Sequence, residues 1–268
     1  MRIEHIVSTM GRTEFSFLEN LKMQAPCLAV NQKSEEGALT YALSGGEAKI
    51  LCTPEKGLSR SRNKLLANAV GEICIIGDDD VEYLPDYIKT IEEAYACLPQ
   101  ADIIVFRFTH EKGKETRARY SKIKRLHMWN ISKAASVEIT FKREKVVNSG
   151  ISFNNEIGLG TEFSSGEENA FLADALRAGL KIYHYPKTIC YAVEAHDLKD
   201  DDGLKKYLYS KGGAYYCIYK KSFWFYALGF VLLKKRTLFK NVSVLQAYRW
   251  MREGKRQYKE KVEANKCF

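Results

Sequence analysis

Ile73-Cys74-Ile75-Ile76-Gly77-Asp78-Asp79-Asp80-Val81 is the stretch on which the rest of the chain is read. A short apolar run ends there in a glycine and three consecutive carboxylates. Four or five such residues predict a strand buried on both faces of a parallel sheet, and Gly77 lets the backbone run close to whatever lies beyond the strand's carboxyl end. In an extended backbone Asp78 and Asp80 project to one side and Asp79 to the other, so the first and third converge on one site. Facing carboxylates repel unless something positive lies between them, and hard cations such as Mn²⁺ and Mg²⁺ take oxygen ligands of this kind. The same triplet also fits a solvated acidic turn, with Pro85 opening the helix that follows.

Upstream, residues 3–7 read as a first strand, followed by the polar loop Ser8-Thr9-Met10-Gly11-Arg12. Thr13 or Ser16 can cap a helix to about residue 23, and residues 27–30 and 49–52 read as further strands. The first of these closes in Asn31. Gly57-Leu58-Ser59-Arg60-Ser61-Arg62-Asn63 opens a helix to residue 69 that leads straight into the acid strand. Downstream, 85–98 predicts a helix and 103–106 a short buried strand. Residues 111–135 carry no clear pattern, and 141–147 suits a short helix. Strands alternating with helices at this pace indicate an α/β layer with a mostly parallel sheet, whose ligands bind at the strands' carboxyl ends.

A second acidic signal follows a glycine- and serine-rich loop, at Gly166-Glu167-Glu168-Asn169, where a helix runs to Gly179. Two acids in a first turn suit the positive end of the helix dipole, so an ordinary helix start accounts for them as well. Residues 182–185 and 188–193 read as strands flanking Pro186, with His196 just beyond. His5, His110, His127 and His184 have no nameable partner and are read as structural.

The chain has 268 residues and a net charge of +9, with 46% hydrophobic and 28% charged residues, which is ordinary globular composition. Seven scattered cysteines without a Cys-x-x-Cys pair argue for a reducing compartment and against a disulfide framework or a zinc site. No apolar leader opens the chain, which predicts the cytosol. The basic residues gather after about residue 203, where 223–233 is apolar all round and bracketed by Lys220-Lys221 and Lys234-Lys235-Arg236. Eleven apolar residues are too few to cross a bilayer. They fit either an interfacial helix on anionic lipid or a helix packed on the α/β layer. No reader motif for nucleic acid accompanies the basic residues, so nucleic acid is not an expected partner.

The turn at 57–63, the end at Asp78-Asp79-Asp80 and the helix start at 166–169, taken together, resemble the family 2 glycosyltransferases of GT-A fold. The resemblance covers roughly residues 1–200. It implies a GT-A catalytic domain at 1–202 and a helical, membrane-associating appendage at 203–268. It further implies an inverting transfer from a nucleotide-sugar donor, a UDP-sugar, to a glycan or lipid-linked glycan acceptor in capsule, lipopolysaccharide or exopolysaccharide synthesis. The protein would then lie peripherally on the inner face of the cytoplasmic membrane. By the same resemblance Asp80 is the main ligand of Mn²⁺ or Mg²⁺, with Asp78 and His196 completing the site. Ser59, Arg62, Asn63, Asp78, Asp79 and Asn31 line the donor pocket. Glu168 is the catalytic base and Glu167 orients the acceptor or the helix. Two departures stand out: Asn31 occupies a place where the family usually has Asp, and Glu168 one where Asp is common. A metal-dependent nucleotidyltransferase and a non-catalytic module that binds membrane or glycan machinery are the alternatives.

Overall fold

The computed structural model describes residues 1–110, 120–192, 201–239 and 241–264. Its centre is β1 (Ile3–Met10), flanked by β2 (Cys27–Gln32) and β5 (Ile73–Asp78), both parallel to it. Beyond β2 lie β4 (Gly46–Thr53), also parallel, and β3 (Gly37–Leu43), which turns back on β4 through Gly45 and Gly46 as an exposed hairpin strand. On the other side β9 (Ile139–Lys142) runs antiparallel between β5 and β7 (Ile103–Thr109), so β7 runs the same way as β5. Next come β10 (Ile182–Ala192), parallel to β7, and the short β6 (Val81–Tyr83). A two-residue strand, β8 (Lys124–Arg125), also pairs with β10. The sheet is mixed, and the six strands β1, β2, β4, β5, β7 and β10 end on one edge.

Neighbouring residues on one strand belong to different cores. Ile6 and Val7, and likewise Ile76 and Ile75, enter separate apolar clusters, as side chains on opposite faces must. One face packs on α1 (Phe17–Asn20) and α3 (Tyr87–Cys97) through Leu18, Tyr87 and Ile91. The other packs on α2 (Leu58–Asn68), α4 (Arg143–Asn148) and α5 (Glu167–Arg177), and its cluster continues into α6 (Asp201–Tyr219), α7 (Phe223–Lys234) and α8 (Val244–Ala264). Among the described residues no helix is long and apolar enough to cross a membrane.

Several local expectations change. The first helix shrinks to one turn. The residues around Pro186 form a single strand with irregular register between His184 and Cys190 instead of two strands. The segment expected to be a helix from 141 gives its first residues to β9, and helix starts at Arg143. Residues 204–219 read as a helical stretch interrupted by Gly212-Gly213, whereas α6 runs through both glycines unbroken. A Cβ at Gly212 would run into the Met251 carbonyl and one at Gly254 into the Tyr209 carbonyl, so these two glycines let α6 and α8 touch backbone to backbone, while Gly213 makes room for the Phe163 ring. Gly77 is explained from behind the strand: a Cβ there would lie 3.0 Å from the Tyr83 hydroxyl and 3.2 Å from Val7 Cγ2.

Candidate active site

Strand β5 stops at Asp78, and Asp79-Asp80 form a turn into β6. The extended geometry that would aim the first and third acids together is therefore absent. Asp78 accepts from Arg62 Nη2 at 2.9 Å and from Ser136 Oγ at 2.7 Å. Asp79 accepts from Thr9 Oγ1 at 2.6 Å and from Arg12 Nη2 at 3.0 Å, which ties it to the end of β1 and the loop after it. The nearest cations are thus taken up by the first two acids. Asp80 has its pKa raised, first by burial and then by the charges of Asp78 and Asp79. Asp79 and Asp80 line a cavity of about 340 Å³ with Phe17, Leu21, His110 and Tyr191. His110 follows β7 onto the same edge, and its Nδ1 donates to the Ala192 carbonyl at 3.0 Å.

Helix α2 supplies the central cation. Gly57 opens it at φ +119°, and Ser59 donates to the Ile157 carbonyl. Arg62 is 1% exposed, lies over the Phe153 ring, and splits its guanidinium between Asp78 and Glu167 Oε1, the latter at 2.8 Å. One buried side chain so joins the end of β5 to the start of α5. Asn63 holds the next loop by its backbone: it accepts from the Phe153 amide at 2.7 Å and donates to the Phe153 carbonyl at 2.9 Å. Asn31 does the same for the loop after β1, pairing with both the amide and the carbonyl of Arg12. Ser59, Asn63 and Asn31 are therefore engaged with loop backbone, whereas Arg62, Asp78 and Glu167 meet one another.

Gly166, at φ +98°, turns the chain into α5, where the two acids part. Glu167 is buried on Arg62. Glu168 accepts from Asn169 Nδ2 at 2.7 Å, and its pKa is pushed up to about 8 by burial, then by the charge of Glu167. Lys211 on α6 and Arg62 pull it the other way. His196 lies outside the described residues, and among the described residues no three His, Cys, Asp or Glu side chains form a metal cage. The donor chemistry at the strand end does fit a hard divalent ion of the open kind, held by one or two carboxylates and otherwise by substrate oxygens, because Asp80 stands among like charges. Thr9, Arg12, Ser136, Lys211 and His110 are participants that the sequence reading does not pick out. For three of them the signal is position: Thr9 is near the end of β1, and Arg12 and His110 sit just after β1 and β7, on the edge where the acids end.

A mixed sheet with acids at its carboxyl edge, one set after a central strand and one opening a late helix, is the layout of a GT-A-type fold. TarS of S. aureus shares the fold over 90% of this chain and 45% of its own, at 14% identity and a TM-score of 0.59, so the present chain spans less than half of that protein. TarS 1–349 in complex with UDP-GlcNAc matches 99% of this chain and 92% of its own at 13% identity and TM-score 0.58. The mannosyltransferase PcManGT from Pyrobaculum calidifontis, in complex with GDP-Man and Mn²⁺, matches 98% and 75% at 14% identity and TM-score 0.51. At these identities the likeness is one of fold. No curated protein matches the sequence. Residues 29–154, just under half of the chain, match the family model described as Glycosyl transferase family 2, and the fold is the GT-A-like one of the solved structures.

Proposed function

We propose that the protein transfers a sugar, with inversion, from a nucleoside-diphosphate donor, a UDP-sugar, to a hydroxyl of a glycan or lipid-linked glycan in capsule, lipopolysaccharide or exopolysaccharide synthesis. Residues 1–202 carry the chemistry. Residues 203–268 hold the enzyme on the anionic inner face of the cytoplasmic membrane. The observation that carries the reading is the Arg62 bridge, which brings a strand-end carboxylate and a helix-start carboxylate onto one buried cation. That UDP, UDP-GlcNAc and GDP-Man complexes are formed by proteins of this fold supports the donor class.

Each side chain has a part. Asp80, with Asp78 and His196, would hold Mn²⁺ or Mg²⁺, which supplies positive charge to the leaving diphosphate. Asn31, Ser59 and Asn63 shape the donor pocket through the loops they pin, and Asp79 does so through Arg12 and Thr9. Arg62 keeps Asp78 in place beside the donor. Glu168 takes the proton of the acceptor hydroxyl as that oxygen bonds to the anomeric carbon from the side opposite the diphosphate. The carbon–oxygen bond to phosphate breaks with its electron pair on the phosphate, and the configuration inverts once. Glu167 fixes the start of α5 and so aims Glu168.

The test is a screen of nucleotide sugars for release of nucleoside diphosphate, with and without Mn²⁺ or Mg²⁺. Glu168→Gln should lower transfer to an acceptor by about a hundredfold or more, the usual scale of a lost general base. Asp80→Asn should raise the Mn²⁺ concentration needed. Silence toward every donor under every divalent ion removes the function, and full transfer by Glu168→Gln removes the base.

A further inference from the structure

Helix α7 has two apolar sides, and one of them is covered. Phe223, Ala227 and Val231 recur every fourth residue, are buried, and belong to the core shared with α6 and α8. Trp224, Phe225, Leu228, Leu232 and Leu233 are exposed, Trp224 by 60% and Leu233 by 82%. Surfaces of soluble monomers rarely carry a contiguous apolar patch of this kind without a partner for it. The packed-helix alternative left by the sequence thus holds for one side of α7, and the other side is apolar and exposed.

The charges around the patch choose the partner. Lys220 and Lys221 precede α7, and Lys234, Lys235 and Arg236 follow its apolar run. From residue 203 to 252 there is no Asp or Glu, while eleven Lys and Arg occur, against a net charge of +9 for the whole chain. A second copy seated on the patch would bring this cation-only surface against itself. A neutral apolar partner would leave the cations without counter-charge. An anionic bilayer offers hydrocarbon and phosphate together. At a rise of about 1.5 Å per residue, α7 is too short to span hydrocarbon about 30 Å thick, so it suits the plane of the interface. The groove at its foot, about 500 Å³ and lined by Tyr219, Tyr226, Lys220 and Lys221 among others, puts tyrosines and ammonium groups side by side. That is the pairing found at headgroup depth.

We propose that α7 is an in-plane anchor that seats Trp224, Phe225, Leu228, Leu232 and Leu233 in an anionic leaflet, with the lysines at its two ends on lipid phosphates. The inference rests on the membrane partner proposed above and assigns it to one helix face. Full-length protein is sedimented with vesicles of phosphatidylcholine alone or with added phosphatidylglycerol. Wild type should bind the anionic vesicles. Phe225→Ser with Leu232→Ser should lower partitioning roughly a hundredfold. Lys220→Ser with Lys221→Ser should lower it roughly twentyfold, and on anionic vesicles alone. In protein whose Trp129 and Trp250 are replaced by Phe, the emission of Trp224 should shift to the blue on binding. Circular dichroism checks that these surface variants stay folded. Donor cleavage without vesicles should be unaltered by them, so failure of the anchor and failure of the transferase reading are separable. Unchanged binding by the Phe225/Leu232 variant overturns the anchor, and so does a wild-type dimer that this variant renders monomeric.

Discussion

The end of β5 and the start of α5 are two acidic regions built alike. Each presents one carboxylate to Arg62, Asp78 in the first and Glu167 in the second, and each leaves another whose pKa is raised, Asp80 and Glu168. They differ in what surrounds the second acid. Asp80 is the more open of the two, partly desolvated and facing the charges of its own strand end, whereas Glu168 is half-buried at the start of α5 and has Lys211 of α6 near it. A shared cation thus sorts the acids: those it binds are fixed in place, Asp78 at most as a secondary ligand, and those it does not bind are left as the main takers of an ion or a proton. An exposed carboxylate among like charges suits a cation, and an enclosed one suits a proton.

Breaking the shared cation should have the largest effect. Arg62→Met leaves Glu167 buried without a counter-charge and frees Asp78, which is only partly enclosed. Removing one partner of a buried pair costs about 3–5 kcal/mol, and the lower end applies because Asp78 is one-third exposed. A melting temperature lower by about 10 °C follows for a chain of this size, with loss of transfer. Arg62→Lys should recover only part, since one ammonium cannot reach two carboxylates as a fork does. A thermal melt of Arg62→Met that overlays the wild type would mean the two regions are not coupled through this residue.

The next effect separates stability from function at the helix start. Glu168 binds its proton more tightly in the folded chain than in the unfolded one. Stability therefore falls as pH rises from about 4.5, the ordinary value, toward about 8. Glu168→Gln removes that dependence. At pH 8 it should melt about 2–4 °C above wild type, and its melting temperature should vary less between pH 5 and 8, although transfer is lost. Parallel pH profiles for the two proteins would place Glu168 in water and take away its distinction from Asp80.

Much of this plan is legible in the sequence, and the parts that are not have physical reasons. The apolar runs at 27–30, 73–76 and 103–106 are strands because each is buried on both faces, which leaves no polar alternation to misread. Strand β3 escapes because it is an exposed edge whose partner is chosen by the Gly45-Gly46 turn, and β9 escapes because four residues inserted antiparallel between two strands carry no period of their own. The acids themselves are visible, since charge at the end of an apolar run is a local signal. Their partners are not: Arg12 meets Asp79 across 67 positions and Ser136 meets Asp78 across 58, pairings set by sheet order. Asp79 looks the least consequential acid by alternation, yet the turn hands it the loop after β1. Gly212 likewise reads as a break until α6 and α8 are seen to touch at it and at Gly254.

The smallest effect tests whether the basic tail also serves the chemistry. Lys211 lies on α6, within 6.0 Å of the rings of Tyr207, Tyr215 and Phe230, so its ammonium is held among aromatic faces that favour a cation. From there its charge lowers the pKa of Glu168, against burial and the charge of Glu167, while Arg62 acts in the same direction as Lys211. Lys211→Met keeps the length of the side chain and removes the charge. With Glu168 as the base, the acidic limb of the pH–rate profile should then move upward by up to about one unit, with kcat at high pH close to wild type. Burial alone would predict no such movement, because methionine fills the same space. A profile unmoved by Lys211→Met would confine the tail to packing and anchoring, and Glu168 would be tuned by Glu167, Arg62 and its enclosure alone.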